Sequence, residues 1–175
     1  MKIIDLSLPL YTGMPVFPGD PEASIEVIQT LQQHGWELRR LHINSHDGTH
    51  VNVPAHAVAN GKRLQDYSLD CFCGEAAIYR PGLAMQPDKG VVFRDQNIDA
   101  AIAEAIMRAR PKFVALSDEF EFDLQIEKDL LAEGIISYER LTNLDQLPDT
   151  FMFYGLPLNI LSGDGSTVRA MAVIE

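Results

Sequence analysis

Halfway along this chain of 175 residues the spacing of the apolar residues changes. Up to about residue 95 they fall in short runs cut by Pro and Gly. Residues 2–6 form one such run, followed by the loop PVFPGDP, whose Pro15, Pro18 and Pro21 make it stiff. Residues 24–29 set Ile25 and Val27 against Ser24 and Glu26, and residues 37–44 carry Leu38, Leu41 and Ile43. These runs, with shorter ones at 75–79 and 91–93, predict strands. Beyond that point the period becomes helical. In NIDAAIAEAIMRAR the residues Ile98, Ile102, Ala105, Ile106 and Ala109 share one face, with Asn97 as N-cap and Pro111 as the stop. The stretch FDLQIEKDLLAEG predicts a second helix, with Asp123 as N-cap and Gly134 just past its end. Strands are expected at 113–116, 135–137, 151–153 and 168–173. Strand and helix alternating at this spacing demand α/β layering, and the length suits a single domain over residues 1–175.

Charge narrows the partners. Twenty-five Asp and Glu against fourteen Lys and Arg give −11, the wrong sign for a phosphate backbone or an anionic membrane. The expectation is therefore no nucleic acid and no membrane. Asp5 interrupts the N-terminal apolar run, so no secretory leader is expected, and no run reaches the roughly eighteen residues of a spanning helix. Cys71 and Cys73 have no further cysteine to complete a zinc knuckle or a disulfide framework, which favours reduced thiols and a cytoplasmic protein.

Three of the five histidines fall in SHDGTHVNVPAH, residues 45–56. On a straight strand the Cα atoms of His46 and His50 would lie about 13 Å apart, at roughly 3.3 Å per residue. Ligands about 2.0 to 2.1 Å from one zinc ion lie within about 4 Å of each other, so a shared ion requires the backbone to turn. Gly48 permits the turn, and Pro54 fixes φ near its end. Residues 46, 50, 52 and 56 are close enough in sequence for one compact loop to bring them together. The residues alone leave two readings open, a metal site or a polar loop of solvated imidazoles.

The same stretch resembles the signature H-x-G-T-H-x-D-x-P-x-H of the metal-dependent cyclase or kynurenine formamidase (arylformamidase) family. It departs from the signature at one specified position, where Asn52 replaces Asp. IIDLSLPLYTGMPVFPGDP, GIISYERLTNLDQLP and LPLNILSGDGSTVRAMAV resemble three further family segments in the right order, so the likeness covers most of the chain. It implies a swivelling β/β/α-like domain, a mixed β-sheet with flanking helices that carries the motif loop at its edge. It also implies His46 and His50 as metal ligands, Glu139 as a further ligand and His56 as the catalytic acid/base. About twelve residues before that glutamate the two-metal relatives have a histidine; here the position is Glu127. Glu127 is either a solvated helix charge or, three residues after Leu124 and four before Leu131, an inward-facing group. With Asn52 neutral and Glu127 acidic, the formal ligand charge is unchanged, but a neutral amide is a poor bridge between two cations. The implied metal set is thus His46, His50, Asn52, Glu127 and Glu139, with zinc or manganese as the ion. Phe17 stands where relatives place an aromatic beside the substrate, and core packing is its alternative role. Asp118 suits an N-cap or turn better than the site, and Arg169 is open between an acidic neighbour and the site.

The resemblance implies a metal-dependent hydrolase of an amide, with N-formylkynurenine of tryptophan catabolism as the family substrate and a homodimer or higher homo-oligomer as the assembly. Two other readings stand beside it. One is a non-catalytic or divergent member that binds a small ligand; the other is a hydrolase or cyclase acting on cyclic amides or lactones.

Overall fold

The computed structural model describes residues 1–174. Strands β1 (Lys2–Asp5), β2 (Ser24–Gln29), β3 (Leu38–His42) and β4 (His50–Asn52) come first, with the one-turn helix α1 (Leu31–His34) between β2 and β3. Strands β5 (Cys73–Ile78) and β6 (Gly90–Phe93) lead into helix α2 (Ala100–Ala109), β7 (Phe113–Ser117), helix α3 (Leu124–Ala132) and β8 (Ile136–Leu141). The chain continues through β9 (Thr150–Tyr154), β10 (Gly165–Thr167) and β11 (Met171–Ile174).

Nine strands build one mixed sheet in the order β1-β11-β9-β5-β6-β7-β8-β4-β10. The neighbours β5 to β8 pair in parallel, with β5 joined to β6 by the loop 79–89, β6 to β7 through α2 and β7 to β8 through α3, the long crossovers that parallel pairing requires; the remaining pairs are antiparallel. Five strands separate β1 from β8, so a flat sheet at about 4.8 Å per strand would hold them about 29 Å apart. Instead Ser7, just past β1, bridges Leu141 at the end of β8, and the Thr142 amide donates to the Leu6 carbonyl at 3.1 Å. The sheet is therefore strongly curled.

Curling creates two cores. In β7, Phe113 and Ala115 point inward among Tyr138, Phe153, Val51 and Leu6, while Val114 and Leu116 pack outward with Ile106 of α2 and Leu130 of α3. Burial of both faces explains why β7 reads as an unbroken apolar run. The Phe113, Tyr138 and Phe153 rings meet at centroid separations of 4.8 to 5.3 Å. Strands β2 and β3 form a separate two-stranded ribbon, along which Val27, Leu38 and Leu41 are exposed.

The expected α/β fold is present, with four local differences. Asp99, rather than Asn97, caps α2: its carboxylate accepts from the Ile102 amide, while the Asn97 side chain donates to the Glu121 carbonyl. The strand expected at 135–137 runs on to Leu141. The one expected at 168–173 is divided, with β10 before it and β11 at its end. Residues 50–52, read from the sequence as loop, form β4, held between β8 and β10.

Candidate functional site

Three-residue β4 organises the site by alternation. Val51 turns into the inner core, so His50 and Asn52 share the opposite face of the sheet. On β8, Glu139 lies opposite His50 and Ser137 opposite Asn52, while Tyr138 between them joins Val51 inside. Helix α3 brings Glu127, in its first turn, onto the same face, where the Ser137 hydroxyl donates to its carboxylate at 3.0 Å. Glu127 is buried, as an inward-facing group should be, although Leu124 is exposed and the packed stripe runs through Leu130 and Leu131 instead.

The turn before β4 is built to hold His46. Gly48 adopts φ +63°, and a Cβ there would meet Leu10 at 2.9 Å. Asp47 accepts from the Asn44 amide at 2.7 Å, and the Thr49 hydroxyl donates to the Arg140 carbonyl at 2.6 Å while accepting from the Leu8 amide. The His46 ring lies over Gly165 of β10, where a Cβ would stand 2.4 Å from its Cε1. His56 follows β4 on a 3-10 turn opened by Pro54, and its ring centroid is 3.9 Å from that of His46.

Asn52 sits fully buried at the centre of these groups. Its amide nitrogen donates to Glu127 Oε1 at 2.5 Å and to Glu139 Oε1 at 2.7 Å. The reversed amide would press Oδ1 against two carboxylate oxygens, so Oδ1 must face His46 Nδ1, 2.7 Å away, and that ring nitrogen donates. His50 Nδ1 donates to the Gly48 carbonyl at 2.8 Å, leaving Nε2 3.3 Å from Glu139 Oε1.

Charges follow from this arrangement. Burial alone would lower His50, but the hydrogen bond and charge of Glu139 outweigh it and raise it. Burial would raise Glu139; the His50 contacts prevail and lower it. Glu127 is raised, by burial and then by the Glu139 charge. On the histidine side, His46 Nε2 stands 3.0 Å from Asp164 Oδ2, and His56 Nδ1 is 3.6 Å from the same oxygen. Burial would raise Asp164, yet the His46 contact holds it at about 2. Burial, then His46, lowers His56.

The six sequence-derived metal and catalytic candidates thus occupy one region, in two groups. His50, Asn52, Glu127 and Glu139 form a closed hydrogen-bond network. His46 links that network to His56 and Asp164, and the donor atoms of these last three lie within 4.8 Å of one another. Asp164 joins them from outside the motif; its one local signal in the sequence is an acid between Gly163 and Gly165, inside the C-terminal segment that the resemblance covers. Phe17 is 60% exposed on the loop between β1 and β2. Arg169 makes an ion pair with Asp5, at 2.6 and 2.9 Å.

Comparison with known proteins places this geometry. Residues 4–121 match the model of the cyclase family, described as "Putative cyclase". Kynurenine formamidase of Paracidovorax citrulli is 35% identical over 95% of this chain and 94% of its own, and that of Salinibacter ruber 28% identical over 98% and 97%. Among solved structures, isatin hydrolase A from Labrenzia aggregata bound to benzyl benzoate superposes with a TM-score of 0.79 at 20% identity, covering 98% of this chain and 93% of that one. Isatin hydrolase A from Ralstonia solanacearum gives 0.78 at 18% identity, over 99% and 92%. These structural likenesses show the shared fold. Sequence relatives, fold and gathered imidazoles and carboxylates together define the class, an enzyme of the amidohydrolase kind. The chain belongs to the cyclase family.

Proposed function

We propose that the chain is a metal-dependent hydrolase of an acyclic amide, with N-formyl arylamines such as N-formylkynurenine as its substrate class. The observation that carries this reading is the set of three imidazoles and three carboxylates gathered around Asn52, in a chain that aligns almost end to end with kynurenine formamidases. Imidazole nitrogen with carboxylate oxygen suits zinc first and manganese second. A divalent ion in such a site supplies Lewis acidity, lowering the pKa of a bound water toward about 7 and polarising a carbonyl.

The protein's own groups do the rest. The Asn52 carbonyl engages His46 Nδ1, so that Nε2 is the ring nitrogen left for an ion. The Gly48 carbonyl engages Nδ1 of His50, whose Nε2 shares a proton with Glu139 beside the cluster. That pair is suited to hand a proton to a leaving amine.

Among the described residues no helix is long and apolar enough to cross a membrane, and Cys71 and Cys73 are free thiols. The free thiols support a reducing, cytoplasmic setting, and the formamidase relatives support a role in tryptophan catabolism. We also read the chain as a homo-oligomer, a dimer at least. A two-stranded ribbon is marginal in water by itself, and β2–β3 exposes Val27, Leu38 and Leu41, with Trp36 beside it.

The test is hydrolysis of N-formylkynurenine by zinc- and manganese-loaded protein, beside a cyclic imide and a lactone. Turnover confined to ring substrates would replace the formamide reading. Absence of turnover on all three, with the ion bound, would support a binding protein, a reading that the closed Asn52 network favours.

A further inference from the structure

The donor atoms of this site are not equally available. In the acidic half each carboxylate already receives protons. The two N–H groups of Asn52 reach Glu127 and Glu139, the Ser137 hydroxyl reaches Glu127, and His50 Nε2 faces Glu139. The amide stands between the two carboxylates, where a cation would otherwise balance them, and it is wholly buried. That half does not fit a cation.

The histidine half is the reverse. His46 Nδ1 donates to Asn52 and its Nε2 faces Asp164 Oδ2 at 3.0 Å, with His56 Nδ1 3.6 Å from the same oxygen. Three donor atoms converge here, and an ion bound among them would take the place of the proton in the His46–Asp164 hydrogen bond. Donors about 2.1 Å from one ion are separated by about 3.0 Å at right angles and about 3.4 Å at tetrahedral angles. The His46–Asp164 separation of 3.0 Å falls in that range, the His56–Asp164 separation of 3.6 Å lies about 0.2 Å beyond it, and all three donor atoms lie within 4.8 Å of one another.

We propose that this chain binds one divalent ion rather than two, on His46, His56 and Asp164, and that the Asn52 amide fills the place of a second cation between Glu127 and Glu139. Asp164 then supplies the carboxylate that the motif lacks at residue 52. His56 becomes a ligand, where the resemblance implies a proton carrier, and proton transfer falls to the His50–Glu139 pair. The proposal rests on the metal-dependent reading above, and it concerns where the ion sits rather than which amide is cleaved.

The experiment is zinc titration of the metal-free full chain against a chromogenic chelator, with ion content measured by mass spectrometry. The wild type should take up one ion. Asp164→Asn and His56→Ala should each weaken zinc on the order of 100-fold or more, beyond the roughly 10- to 100-fold cost of losing an outer partner. Glu127→Gln should leave affinity within about 3-fold and the count at one. Asn52→Asp should raise the count to two, because a third carboxylate replaces the two N–H donors. Should Asp164→Asn fail to fold, judged by circular dichroism, His56→Ala carries the test, since its side chain is partly exposed. Two ions on the wild type would overturn the proposal, as would zinc lost from Glu127→Gln but kept by His56→Ala. No zinc on the wild type, with His46 simply protonated against Asp164, would overturn it as well. Single-ion binding of the expected pattern without formamide hydrolysis would leave the proposal standing and remove the substrate reading; metal-dependent hydrolysis unaffected by His56→Ala would do the opposite.

Discussion

Replacing Gly165 by Ala adds one methyl group directly beneath the His46 ring. The new Cβ would lie 2.4 Å from His46 Cε1, 3.0 Å from Nδ1 and 2.6 Å from the Val51 carbonyl oxygen. Ordinary contacts between carbon atoms are about 3.5 to 4.0 Å, so something must move by about 1 Å. Val51 cannot, because β4 is paired on both sides and the Val51 side chain is locked in the inner core. The ring must therefore shift. A 1 Å displacement takes its bonds to Asn52 and Asp164, now 2.7 and 3.0 Å, to or beyond the hydrogen-bonding limit of about 3.5 Å. Overpacking costs about 1 to 3 kcal/mol and each of the two weakened bonds roughly 1 kcal/mol, which gives a destabilisation of about 3 to 5 kcal/mol. For a chain of this size that is a fall in Tm of roughly 6 to 20 °C. Gly165 does not use a positive φ, so backbone strain does not confuse the result. Thermal unfolding followed by circular dichroism reads the stability, and chelator competition reads the loss of zinc affinity. A variant melting within 1 °C or so of wild type with unchanged zinc affinity would refute the seating of His46 on the Gly165 backbone.

Three other outcomes are expected. Tyr138→Phe removes a buried hydroxyl that donates to the Gly155 or Phe72 carbonyl, at 3.0 and 3.3 Å, and should lower stability by about 1 to 2 kcal/mol in urea titrations with an unchanged m-value. Glu127 is raised in the folded chain, so folding takes up a proton and stability falls as pH climbs from about 4.3, the unfolded value, through the raised one. Metal-free Glu127→Gln should match wild-type Tm near pH 4 and exceed it at pH 8; equal melting at both would contradict that burial cost. Light scattering at micromolar concentration should give a multiple of 19.5 kDa, and Trp36→Ser with Leu38→Ser should shift it toward the single chain.

Elements whose own residues decide them were legible in the sequence. Helices α2 and α3 and the central strands carry their period within a dozen residues, and Asp123 caps α3 as read. Gly48 has the left-handed φ that the turn before β4 required. What escaped depends on distant partners. Strand β4 is three residues long with two polar side chains, too short to show alternation, and it is extended because β8 and β10 bond it on both sides. Asn97 and Asp99 are both plausible caps, and the choice between them was made by the Glu121 carbonyl that engages Asn97. Asp164 meets His46 across 118 residues, a pairing that no local pattern records. The family resemblance found the motif, but it supplied the pattern of relatives with Asp at the position of Asn52, and so did not anticipate how the amide partitions the donors.

The pairing of β1 with β11, and of β4 with β10, also sets an order on assembly during synthesis. Lys2 finds Ile174 and His50 finds Thr167, so neither end of the curled sheet can close until residues 165–174 have been made. Contacts of such long sequence separation form late and slowly. A nascent chain stopped before Asp164 would display His46 and His56 without the carboxylate that both of them face, so a stalled or truncated product should bind zinc loosely.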